Sequence, residues 1–171
     1  EDDIYVIKYD APGDGLGEGN TFWAATPYDG GGNDYPTAVT FDQNGDIFIT
    51  GKTFLNGNYD VFTRKIDGLD GSTIWTMTYN GSGNGDDAGN SLAIDSNGDV
   101  YVTGYTTNGS ADLDWYIVKY DGDAPGPNSV ILWSDTHDGP ANGEDIAESI
   151  KLDQNDDAVV IGGTVLQSVG N

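Results

Sequence analysis

The sequence predicts an all-β fold assembled from repeated four-stranded antiparallel units. Three observations carry that prediction. Apolar residues nowhere follow the spacing of a helix face; they form short runs rich in Val, Ile, Thr, Tyr, Phe and Trp, set between Gly, Asn and Asp. The segment FDQNGDIFITGKT from Phe41 recurs as IDSNGDVYVTGYT from Ile94 and LDQNDDAVVIGGT from Leu152. IKYD at Ile7, RKID at Arg64 and VKYD at Val118 recur with the same period, and each is followed by one Trp, at Trp23, Trp75 and Trp133. A fixed period of roughly 50 residues marks stacked units that cannot bury their apolar faces alone. Four strands per unit at that period is the pattern of a β-propeller blade.

Taken in blade order, strand a is expected over 37–42, 88–95 and 146–153, and strand b over 46–53, 99–106 and 157–164. Asn-Gly at 44–45 and 97–98 predicts a tight a-to-b hairpin, because both residue types accept positive φ. Asp156, in the third copy, is the next best tolerated residue at such a position. Strand b is apolar on both faces, as in Ile47, Phe48 and Ile49, which suits a strand covered by neighbours on both sides. Strand c is expected over 3–10, 59–67 and 114–121 and carries the aligned Lys8, Lys65 and Lys119. Strand d, over 21–28, 72–79 and 129–136, carries the aligned Trp and leads into a Gly/Asn/Asp loop ending at Asp34, Asp87 or Asp145. The chain opens on strands c and d and closes on a and b. It therefore holds three blade equivalents: a c–d half-blade, two full blades and an a–b half-blade. They form one domain, 1–171, with repeat units 3–53, 59–106 and 114–164.

Composition narrows the function classes. Twenty-nine acids against six bases give a net charge of −23, which repels nucleic-acid phosphates and anionic membrane surfaces. No apolar run is long enough to span a bilayer as a helix, so membrane insertion by helices is not expected. The acidic start EDDIYVIKYD has neither the basic nor the apolar part of a secretion signal and begins without Met, which suggests a processed chain or a piece of a longer one. Cysteine is absent, so packing, hydrogen bonds and oxygen-ligated metal are the available sources of stability. The single His137 excludes a multi-histidine metal site within one chain. High acidity with few lysines suits a secreted or surface-displayed protein.

The stretch WTMTYNGSGNGDDAGNSLAIDSNGDVYVTGYTTNGSADLDWYIVKYD, from Trp75 to Asp121, closely resembles the SBBP-type β-propeller repeat of bacterial and archaeal surface and secreted proteins. The resemblance extends over nearly the whole chain in three copies. The first departs at DYPTAVTFD, and the third has Asp156 for Gly45 and Gly98 and Ile161 for Thr50 and Thr103. It implies an architecture and a bacterial or archaeal extracellular setting, and it implies no reaction, since fold does not determine function.

The D-x-N-x-D segments set Asp42/Asn44/Asp46, Asp95/Asn97/Asp99 and Asp153/Asn155/Asp157 at alternate positions, an oxygen spacing that suits calcium. The helix-loop-helix version fails. Counting the first Asp as position 1, position 6 is Ile47, Val100 or Ala158 in place of Gly, and position 12 is Thr53, Thr106 or Thr164 in place of Glu. A structural turn explains the pattern with fewer assumptions. A second acidic group, Asp86/Asp87 and its counterpart Glu144/Asp145, is also a candidate for calcium. Its recurrence in every repeat favours a scaffold tie, because catalysis needs one asymmetric constellation.

No G-x-S-x-G elbow is present, His137 replaces the aromatic Tyr28 and Tyr79, and the expectation is a protein that is not an enzyme. Trp115 departs from the repeat pattern and is the candidate ligand-stacking residue for a glycan. Ring closure normally needs at least four blades, so three equivalents leave sheet edges to be covered. The expected function is self-association: strands c–d of one chain, with Ile4, Val6 and Trp23, would complete strands a–b of another, with Ile150 and Val160. The product would be a ring or a surface fibre, unless a longer parent chain supplies the missing strands. A lectin-like propeller is the alternative, and part of a glycan-acting enzyme the third reading.

Overall fold

The computed structural model of the protein describes residues 1–10, 20–109, 111–124, 131–139 and 143–164. Among these residues there are strands and turns but no helix, and no helix long and apolar enough to cross a membrane. Twelve strands form: β1 (Ile7–Tyr9), β2 (Thr21–Ala24), β3 (Tyr35–Phe41), β4 (Ile47–Leu55), β5 (Asn58–Ile66), β6 (Thr73–Tyr79), β7 (Ala88–Ile94), β8 (Val100–Thr107), β9 (Leu113–Tyr120), β10 (Ile131–His137), β11 (Asp145–Leu152) and β12 (Ala158–Thr164). They pair antiparallel into two four-stranded sheets, β3-β4-β5-β6 and β7-β8-β9-β10, and two two-stranded sheets, β1-β2 and β11-β12.

The expected strands c and d of the first copy, 3–10 and 21–28, are shorter than the sequence suggests. Only Ile7–Tyr9 and Thr21–Ala24 form a ladder, broken between Lys8 and Tyr9, with one further bridge from Ile4 to Tyr28. The equally two-stranded β11-β12 sheet keeps eight and seven residues, so the shortness belongs to the broken β1-β2 register and not to the missing second partner. The start of the third strand d, at 129–130, lies outside the described residues.

The a-to-b hairpins also differ in detail. Positive φ is confined to Gly45 (85°), Gly98 (89°) and Asp156 (64°), while Asn44, Asn97 and Asn155 keep negative φ. Each loop is a turn closed by the amide of residue 45, 98 or 156 onto the carbonyl of the first Asp, and that closing residue is itself the left-handed one. This is the three-residue hairpin and not the two-residue Asn-Gly one.

The sheets stack in sequence, β3 and β4 against β7, and β11 against β7 and β8. Between the two complete sheets lies the main core of Phe48, Val61, Trp75, Val100, Val102, Tyr116, Val118 and Tyr120. A smaller core of Trp23, Ala25, Ile47, Ile49 and Ile66 joins the β1-β2 sheet to the first complete sheet. Strand b of the complete sheets is buried on both faces, which its continuous apolar run requires. In each strand b one glycine sits opposite a break in the a-strand ladder: Gly51 faces Pro36, Gly104 faces Gly89 and Gly162 faces Ala147. A Cβ there would lie 2.1 Å from Tyr35 O, 1.9 Å from Ala88 O or 2.1 Å from Ile146 O, so no side chain fits without opening the hairpin.

Candidate functional site

Three kinds of feature recur along the stack. The first is the acid that opens strand a. Asp34 accepts hydrogen bonds from Gly30 N (2.8 Å), Thr53 Oγ1 (2.6 Å) and Phe54 N (3.1 Å). Asp87 accepts the equivalent bonds from Gly81 N (2.5 Å), Thr106 Oγ1 (3.1 Å) and Thr107 N (2.6 Å), and Asp145 accepts from Gly139 N (2.5 Å). All three acids are buried, and each ties the loop arriving from one sheet to the strands of the next. The preceding position binds backwards: Asn33 Oδ1 accepts from Asp2 N (3.0 Å) and Asp86 Oδ1 from Tyr59 N (3.0 Å). Glu144 is exposed. Burial raises the carboxyls of Asp87, Asp60 and Asp114. The amides and the hydroxyl bound to Asp87 oppose that rise, as do the side-chain bonds from Asn58 to Asp60 and from Asn108 to Asp114.

The second feature is the D-x-N-x-D turn. The first Asp uses Oδ1 to cap two amides: Asp42 those of Asn44 and Asp46 (both 2.9 Å), Asp95 those of Asn97 (2.9 Å) and Asp99 (3.0 Å), and Asp153 those of Asn155 (2.7 Å) and Asp157 (3.0 Å). The outer carboxylate oxygens of the first two turns converge on the lysine of strand c. Lys65 Nζ lies 3.5 Å from Asp42 Oδ2 and 3.1 Å from Asp46 Oδ2, and Lys119 Nζ lies 2.8 Å from Asp95 Oδ2 and 2.9 Å from Asp99 Oδ2. In each of these two turns the ammonium thus stands between two of the carboxylates named above as candidates for calcium. Burial pushes Asp95 up, but the bonds from Lys119, Asp99 N and Asn97 N outweigh it and leave the carboxyl below its usual range. Burial pushes Lys119 down, and the Asp95 and Asp99 bonds more than reverse it, so its ammonium holds its proton beyond the ordinary lysine range.

Among the described residues, the groups of three acids whose oxygens lie close enough to share an ion are Asp3/Asp29/Asp34 and Asp112/Asp114/Asp138, neither of which is a set expected above. Their signal was present as the recurrence of Asp3, Asp60 and Asp114 five residues before each strand-c lysine.

The third feature is what the stack leaves open. Among the described residues every large exposed apolar side chain except Leu69 lies at one of two ends: Tyr5, Ile7, Tyr9, Phe22, Tyr35, Val39 and Phe41 at the first, and Ile131, Leu132, Trp133, Val159 and Ile161 at the second. At the first end a cleft of about 570 Å³ opens between the free edge of β1 and the face of β3 and β4, lined by Ile4 to Tyr9, Val39, Phe41, Ile47 and Ile49. The positions singled out for assembly, Ile4, Val6, Trp23, Ile150 and Val160, are buried or half-buried within the chain. Their strand neighbours Tyr5, Ile7, Tyr9, Val159 and Ile161 are the exposed ones. Strand alternation explains this, because a shift of one residue changes the face.

Trp115 is half-buried, its indole N–H reaching Gly163 O (3.4 Å) and its ring 5.7 Å from His137. His137 meets Trp115 on the adjacent strand of its own sheet, whereas its counterparts Tyr79 and Tyr28 reach across to Tyr116 and Phe62 on strand c of the next sheet. Of the repeated indoles, Trp23 donates to Gly68 O (3.1 Å), whereas buried Trp75 Nε1 has no hydrogen-bond partner.

Residues 28–64 and 77–110 match the family model of the SBBP beta-propeller repeat. No curated protein is significantly similar to the chain.

Proposed function

We propose that this chain, in which residues 28–64 and 77–110 are SBBP beta-propeller repeats, is a non-enzymatic extracellular assembly module whose two-stranded sheets are half-blades that complete one another between copies. One observation carries the reading. Nearly all the exposed large apolar surface is gathered at the two ends, and the cleft beside β1 lies where β4 stands beside β5 and β8 beside β9 in the complete sheets. An a–b hairpin of a second copy entering that cleft would pair with the β1 edge and cover Val39 and Phe41. The incoming β1-β2 sheet would in turn cover Ile131 to Trp133 on β10. Backbone pairing supplies affinity in such strand addition, and side-chain alternation supplies register. Rotation per step decides whether such contacts close into a ring or run on as a filament.

The test is the mass distribution of the purified chain by sedimentation, with two variants. Deleting residues 1–28 removes the half-blade. Ile7→Pro is subtler: Ile4 and Val6 bond to Tyr28 and Ala25, in the segment that continues β2, so the amide of Ile7 faces the open edge. Assembly of the parent chain, lost in both variants with the melting transition of Ile7→Pro retained, is the expected result. A monomeric parent chain at high concentration overturns the proposal.

A carbohydrate-binding role is the second reading. It is supported by the half-exposed Trp115 beside His137, and is checked by glycan-array binding that Trp115→Ala abolishes.

A further inference from the structure

We propose that Lys8 of one copy is clamped by Asp153 and Asp157 of the next, so that the third D-x-N-x-D turn is the electrostatic latch of the assembly. The inference rests on the strand-completion reading and adds to it a register and a contact. In both complete sheets strand c lies beside strand b so that the lysine stands opposite one aromatic residue: Lys65 opposite Phe48 and Lys119 opposite Tyr101. Val159 is the counterpart of Phe48 and Tyr101, and Lys8 of Lys65 and Lys119. Transposing either ladder gives the same pairing, Val159 with Lys8, Val160 with Ile7 and Gly162 with Tyr5. That register brings the turn at 153–157 over Lys8, as the turns at 42–46 and 95–99 lie over theirs.

Each partner is already arranged for the contact. Lys8 Nζ donates to Gly68 O (2.7 Å), as Lys65 Nζ donates to Gly122 O (2.8 Å), so the ammonium stands at the place the complete sheet uses. It differs from Lys65 and Lys119 in having, among the described residues, no carboxylate beside it. In the third turn, as in the other two, Asn155 N and Asp157 N donate to Asp153 Oδ1, which leaves Asp153 Oδ2 on the outer side, where Asn155 Nδ2 reaches it at 3.4 Å. Asp153 and Asp157 are exposed, whereas Asp42 and Asp95 are at most 5% exposed in their side chains once a lysine is seated. A chain with a net charge of −23 gains specificity from this device, because copies that repel at long range bind only where a cation is presented in register.

The test is a charge exchange followed by sedimentation at low and moderate salt. Lys8→Glu and Asp157→Lys each place like charges at the latch. Each alone is expected to weaken association about 30-fold or more, as for a desolvated charge pair that loses one member. Mixed together they restore it: the carboxylate introduced at position 8 meets the ammonium introduced at position 157 at one contact, and the native pair forms at the other. The amide caps of the turn come from Asp153, so Asp157→Lys leaves the hairpin intact, and a thermal melt of each variant checks its fold. Association of the single variants equal to that of the parent chain, or a mixture no tighter than either variant alone, overturns the latch while strand completion stands. A parent chain that stays monomeric overturns both.

Discussion

Replacing Lys119 by Met is the sharpest probe of the turn-and-lysine device, because it acts within one chain whatever the state of assembly. Lys119 Nζ sits 2.8 and 2.9 Å from the two Asp oxygens, and the three side chains are 14%, 1% and 16% exposed. Methionine keeps most of the stem volume but leaves two carboxylates facing each other in a nearly closed site. Breaking a buried pair from one side costs about 3–5 kcal/mol; since Asp99 keeps some solvent, the lower end, about 3 kcal/mol, is expected. For a chain of this size that is a melting point lower by roughly 6–12 °C at pH 7.

The pH dependence gives a second signature. In the parent chain Asp95 titrates below its usual value, so its contribution is present above about pH 4 and lost as pH falls through the folded value. Lys119 holds its proton beyond the lysine range, so its contribution is complete at neutral pH. Without the ammonium, burial governs Asp95 and raises it, and protonation then relieves the variant as pH falls. The gap between the two proteins therefore narrows toward pH 4. Urea melts at pH 7 and pH 4.5, with Lys119→Arg as the charge-preserving control, measure both effects. A loss under about 1 kcal/mol at pH 7, or a gap that stays constant with pH, would refute the reasoning.

Asp87→Ala strands the amides of Gly81 and Thr107 and the hydroxyl of Thr106 in a buried site, and is expected to cost about 3 kcal/mol or more by denaturant melt; Asp87→Asn, which can still accept, costs less. Gly104→Ala drives a Cβ to 1.9 Å from Ala88 O and is expected to unpair β7 from β8, seen as fast amide exchange across that hairpin, while Gly163→Ala, which meets nothing within 4 Å, leaves exchange unchanged. Because burial raises Asp60, Asp87 and Asp114 above the ordinary carboxyl value, these three groups bind protons more readily in the folded chain than in the unfolded one. The melting point is expected to rise as pH falls from 7 into the window just above pH 4, and to drop below it; a monotonic fall from pH 7 contradicts this.

Periodicity, turn chemistry and residue type were sufficient to locate the strands within a few residues, to place turns at the D-x-N-x-D segments, and to align the three lysines. These properties are local: alternation, left-handed tolerance and side-chain capping act over two to five residues, and a sequence displays them directly. The partners of the lysines were not legible, because 29 acids offer too many choices and the chosen pair lies about 20 residues away along the chain. Only the ladder register of strand c against strand b brings Asp42 and Asp46 over Lys65, and Asp95 and Asp99 over Lys119. The facing of Ile4 and Val6 inward and of Tyr5 and Ile7 outward was undetermined for a related reason. Alternation sets two faces but not which one meets the neighbouring sheet, and that is decided by stacking, where β1 lies over β3 and β4. Tertiary packing thus turned three equal acidic turns into two that hold a lysine and one whose carboxylates remain exposed.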